Sequence, residues 1–173
     1  MKLLKTSLIA TAAMLTVVAL SSTAHAGHLN VVLETQLSGH DEVGTPGDPQ
    51  AKARVQVFGI DGAANANTLC YTIIVDHKLA ELDMAPGNGR AAHIHEGAKG
   101  ANGPVVANLA WPQDGQAGDC ISEATEGKFP TKEAGIVQRI LKNPQNFYVN
   151  VHNSAFPAGA VRGQLVDTAT HKH

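Results

Sequence analysis

From Lys52 to Ile60, Ala53, Val55 and Val57 alternate with Arg54 and Gln56, the period of a strand with one face in a core and the other in water. Turn-forming clusters bound this run on both sides: Gly39–Pro49, rich in Gly, Pro and Asp, and Asp61–Asn67. A chain cut into runs this short can bury its apolar side chains only by laying strands together. Leu29–Leu37 and Thr68–Val75 read as the neighbouring strands, and the three are expected to pair antiparallel. Composition points the same way. The 173 residues include 17 Gly and 8 Pro against four Phe, two Tyr and one Trp, a mixture that favours short strands and turns over long helices.

Further along, Ala91–Glu96 and Val105–Leu109 read as short strands around a Gly97–Pro104 loop. Pro112–Gly118 is a turn-rich connection, with Cys120 just beyond it. Ile136, Val137, Ile140 and Leu141 recur with helical spacing, and the expected helix is capped by Thr131 and stopped by Asn143-Pro144. Phe147–His152 and Val161–Val166, joined through Asn153–Gly159, form a hairpin. The length suits one domain, expected over residues 27–168 as an all-β Greek-key sandwich or barrel with one short helix. Ala169–His173 reads as a disordered tail.

Residues 1–26 combine Lys2 and Lys5 with an apolar run from Leu8 to Leu20 and end in Ala24-His25-Ala26, the pattern of a secretory signal peptide. The run is shorter than the ~20 residues a membrane span needs, so no membrane anchor is expected. A periplasmic or secreted location follows. Cleavage after Ala26 leaves a mildly acidic chain; cleavage after Ala24 would make His25 the N-terminus, where amine and imidazole together could chelate Cu(II). Lys plus Arg is 13 and Asp plus Glu 15, for a net charge of -2, which argues against nucleic acid as a partner. In an exported chain, the two cysteines, Cys70 and Cys120, suggest one structural disulfide, with two buried free thiols as the alternative. There is no C-x-x-C redox motif.

Nine histidines are the oddity of the composition. His93 and His95 flank Ile94, so in a strand they leave one face about 6.6 Å apart while Ile94 enters the other. Two such imidazoles can converge on one ion at bonds of about 2.0 Å, and a stable site needs another ligand from elsewhere. His152 is the best supplier: in Phe147–His152, Val149 and Val151 take one face and leave Tyr148, Asn150 and His152 on the opposite one. Structural hydrogen bonding by the same three histidines is the competing reading. Glu96 falls on the face opposite His95 and reads as a surface charge or a supporting group. His40, beside Asp41, and His77, beside Asp76, read as loop residues, and His28, His171 and His173 belong to the chain ends. No P-loop, Rossmann glycine pattern or nucleophile elbow occurs.

Several motifs, taken in order, are recognisable: Leu37-Ser38-Gly39 with Glu42-Val43, Leu69-Cys70-Tyr71, Ala92-His93-Ile94-His95-Glu96-Gly97, Gly103-Pro104-Val105-Val106, Tyr148–Asn153, Phe156-Pro157 and Arg162-Gly163-Gln164-Leu165. Their order and spacing resemble the CHRD domain, named for its repeats in chordin and found alone in many exported bacterial proteins, over nearly all of Leu29 to Val166. The resemblance implies an immunoglobulin-like or related Greek-key sandwich and no particular activity. The chain departs from the family pattern at Asp41, where Asn is common, and in Gly44-Thr45-Pro46. The two histidine strands are also similar to the copper-ligand strands of Cu/Zn superoxide dismutases, a likeness that implies three of four copper ligands. It extends to no bridging histidine, because Ala98–Pro130 contains none.

Three functions fit these features. The first is a non-catalytic exported binding module, with copper or zinc at His93, His95 and His152 and a protein or small-molecule partner of unknown identity. The second is a mononuclear copper redox enzyme of the superoxide dismutase type. The third is a metal-free structural interaction domain.

Overall fold

A computed structural model describes residues 31–60, 63–76 and 91–168. The signal peptide expected at 1–26, the tail at 169–173, and His25, His28, His77, His171 and His173 lie outside the described residues. Among the described residues nine strands form one antiparallel sheet: β1 (Val32–Ser38), β2 (Lys52–Gly59), β3 (Thr68–Val75), β4 (Ala92–Glu96), β5 (Val105–Leu109), β6 (Gln116–Ser122), β7 (Phe147–Val151), β8 (Val161–Gln164) and β9 (Val166–Asp167). They lie in the order β5-β4-β7-β8-β1-β2-β3-β6, with β9 beside β1. The sheet curls into a nearly closed barrel. The all-β expectation therefore holds in its barrel form.

The alternation read from the sequence is what fills this barrel. Ala53, Val55 and Val57 of β2 are buried between exposed Lys52 and Arg54, and Leu33, Leu37, Tyr71, Ile73, Ile94 and Val149 join them in one core. β1, β2 and β3 pair antiparallel in sequence order as expected. The β7–β8 hairpin joins this meander where Arg162 pairs with Ser38. Close approach there requires glycine next in β8, because a Cβ on Gly163 would lie 2.4 Å from the Gln36 carbonyl oxygen.

Two expectations need correction. The turn expected over Pro112–Gly118 stops at Gly115, and a strand follows from Gln116: β6 pairs with β3 along its length and sets Cys120 directly opposite Cys70, where the two form a disulfide. The helix α1 (Ile136–Lys142) begins at Gly135, not at Thr131. Glu123 supplies the cap, its carboxylate accepting the backbone N–H groups of Gly135 and Val137, both at 2.9 Å. An acceptor on that face satisfies the amides that a helix start leaves open. The apolar face read from the sequence is correct, with Ile136, Val137, Ile140 and Leu141 all in the core, and Asn143 ends the helix.

Candidate metal centre

Strand phase decides where the histidines point. In β4, Ile94 is fully buried in the core, so His93 and His95 leave by the outer face. Across the ladder His93 stands opposite Asn150, and His95 opposite Tyr148; directly paired residues share a face. His152 continues this stripe one residue past β7, held in line by its backbone N–H donating to the Ala91 carbonyl at 2.7 Å. Two neighbouring strands thus present three imidazoles on one side.

The three come together. Each offers a ring nitrogen within 4.8 Å of the other two, and the centroids of His93 and His152 are 5.1 Å apart, those of His93 and His95 5.6 Å. Nitrogens bound tetrahedrally at about 2.0 Å lie about 3.3 Å apart, so an ion need draw these in by no more than about 1.5 Å. Two of the rings are preset for that role. His95 Nδ1 is 2.9 Å from the Gly103 carbonyl oxygen, and His152 Nδ1 is 3.1 Å from that of Pro157. A carbonyl only accepts, so each proton sits on Nδ1 and each Nε2 carries its lone pair. Both Nε2 atoms are buried and receive no hydrogen bond from the described residues.

Electrostatics favours the ligand form. Burial pushes the His95 imidazole below its ordinary pKa; the Gly103 hydrogen bond opposes this, while the charges of His152 and Arg162 add to it. Burial lowers His152 as well, against its bond to Pro157. Both rings therefore stay neutral at pH 7.

Other sequence candidates lie elsewhere. Glu96 forms a two-pronged ion pair with Arg139 of α1, consistent with its expected placement away from His95. His40 is exposed in a 3₁₀ turn at Gly39–Asp41. Glu42 accepts the Asn150 side-chain amide at 3.1 Å, and burial drives its carboxyl up to about 7 despite that bond and nearby Arg162. A cleft of about 570 Å³ runs along β8 rather than over the triad, lined in part by Gln36, His40, Glu42, Lys99, Arg162 and Gln164.

Residues 33–165 match the CHRD domain. The chain belongs to the CHRD-domain family. No curated protein and no solved structure matches it. In this CHRD domain, the three histidines singled out by strand phase are the three that meet. Sequence reasoning missed the groups around them. Tyr148 was legible only as a member of the polar stripe, yet its ring stacks on His95 with centroids 4.8 Å apart and planes 9° apart. Gly103 was visible as a motif residue, with no signal that its carbonyl would orient a histidine.

Proposed function

We propose that this CHRD domain is an exported, non-catalytic binding module whose His93, His95 and His152 hold one copper or zinc ion. The observation that carries the reading is the pair of buried Nε2 atoms on His95 and His152, which have no hydrogen-bond partner among the described residues, on two rings that each bring a ring nitrogen within 4.8 Å of one on His93. A buried nitrogen without a partner costs roughly 1–3 kcal/mol, and a bound cation offsets that cost at both atoms. Imidazole donors suit both zinc and copper. Three protein ligands also leave a coordination position for water or a small molecule. Export rests on the signal-like residues 1–26, and the Cys70–Cys120 disulfide supports it.

Elemental analysis of protein purified without an affinity tag tests the reading. One equivalent of copper or zinc is expected in the wild type, with little in His93→Ala and His152→Ala. Equal metal in all three would sink the site. A copper-loaded sample that dismutes superoxide faster than free aqueous copper would move the function from binding to catalysis.

A further inference from the structure

The loop between β4 and β5, residues 97–104, is tied down by side chains from β7 and β8. Gln164 Nε2 donates to the Gly97 carbonyl at 2.9 Å. Arg162 donates through Nη1 to Asn102 Oδ1 at 2.9 Å and through Nη2 to the Ala101 carbonyl at 2.6 Å. The Tyr148 hydroxyl accepts the Gly103 backbone N–H at 3.2 Å. The other side of Gly103 is its carbonyl, which accepts His95 Nδ1–H at 2.9 Å. The ring of Tyr148 in turn lies parallel to the His95 imidazole. The circuit is closed: Tyr148 ring to His95 ring, His95 to the Gly103 carbonyl, and Gly103 N–H back to the Tyr148 hydroxyl.

Two further facts show that this circuit is built tightly. Arg162 Cζ lies 3.4 Å from the Tyr148 ring centroid, and a guanidinium that close fills a ring face. His95 must occupy the other, so the phenol is held between the two. Position 103 admits only glycine, because a Cβ there would fall 1.6 Å from the Glu96 carbonyl oxygen. Tyr148 itself is 2% exposed, so its ring has no room to swing away.

We infer that Tyr148 is the positioning residue of the metal centre: its ring fixes the plane of the His95 imidazole, and its hydroxyl holds the Gly103 carbonyl that fixes the His95 tautomer. This rests on the proposed metal site, and it adds a role for a residue that offers the ion no ligand of its own. His152 takes its orientation from Pro157 instead, outside this circuit. The two histidines therefore respond differently when Tyr148 changes.

The test uses Tyr148→Phe, which keeps the ring and loses the hydroxyl, and Tyr148→Leu, which loses both. Metal-free protein is read by ¹⁵N NMR of the imidazoles and by solvent exchange of their Nδ1 protons; Zn²⁺ alone, in competition with a chelator, gives affinity. In Tyr148→Phe, His95 Nδ1–H exchange is expected to rise at least tenfold with His152 unchanged, and Zn²⁺ binding to weaken about threefold to tenfold. Tyr148→Leu should weaken it 10- to 100-fold, the usual range for losing a group that orients a ligand, with Tyr148→Phe recovering much of that loss. If Tyr148→Leu does not fold, Tyr148→Phe decides alone. Unchanged His95 exchange and unchanged Zn²⁺ affinity in Tyr148→Phe would overturn the assignment, as would equal disturbance of His95 and His152, which marks a merely structural tyrosine. Wild-type protein that binds neither Zn²⁺ nor Cu²⁺ would refute the metal site, while the His95 exchange would still judge the clamp.

Discussion

The rings of His93 and His152 stand 5.1 Å apart, edge to face, although β5, β6 and α1 separate their strands in the chain. The pairing of β4 with β7 brings them together: Ala92 lies opposite Val151, which places the residue after each on the outer face. An ion shared by these two rings would bind the two strands to each other.

Metal should therefore stabilise the native state. At a hundred times its Kd, a ligand specific to the folded chain adds about 2.7 kcal/mol. Thermal unfolding with zinc and with excess chelator is expected to differ by several degrees in the wild type and not at all in His152→Ala. A rise that persists in His152→Ala would place the bound metal elsewhere.

Acid should release the metal later than free histidine chemistry predicts. Binding needs neutral imidazoles, and burial lowers the pKa of both His95 and His152 from the usual 6.5. Protons therefore compete at lower pH than they would for exposed imidazoles of ordinary pKa. Chelator-competition titrations from pH 8 to pH 4.5 should show affinity half lost at a lower pH than for an exposed three-imidazole peptide site measured alongside. A midpoint at or above that of the exposed site would contradict the burial argument.

Glu42 should make the fold less stable as pH rises. Its carboxyl titrates near 7 in the native state against an ordinary 4.5, so the folded chain keeps a proton that the unfolded chain releases between those values. The stability from this group is complete below about 4.5 and is lost as pH climbs through 7. His95 and His152, with lowered values, act in the opposite sense and lose stability as pH falls below 6.5. The comparison with Glu42→Gln separates the two effects. Urea unfolding of metal-free protein should show the variant gaining on the wild type from pH 5 to pH 8; a constant difference would count against it.

The disulfide should matter for stability and not for metal. Cys70 and Cys120, 50 positions apart, are joined across β3 and β6, strands that contribute none of the three histidines. Closing a loop of that size restrains the unfolded chain by about 4 kcal/mol in the entropy model. Denaturant unfolding of the Cys70→Ala, Cys120→Ala double variant should reveal a loss of that order with metal affinity retained. A loss below about 1 kcal/mol would show that the unfolded chain gains little from release.

How much of this was legible in the sequence depended on how local its cause was. Alternation over Lys52–Gly59 and the apolar run Thr68–Val75 gave their strands because each is governed by burial of its own side chains. The H-x-H phase of β4 was readable for the same reason. β6 was not, because among Gln116–Ser122 only Ile121 is buried, so nothing in its own pattern shows that β3 holds it. Thr131 looked like the helix cap because the true one, Glu123, acts from 12 residues before Gly135. The Tyr148–Gly103–His95 circuit was hidden in the same way, since its links pass through a backbone carbonyl and a loop placed by β8.

The central claim is that one ion sits among His93, His95 and His152, and X-ray absorption at the metal edge of stoichiometrically loaded protein tests it most directly. The account predicts three imidazole nitrogens at about 2.0 Å, with one imidazole lost in His152→Ala. A shell without imidazole scattering, or one unchanged by that substitution, would contradict it.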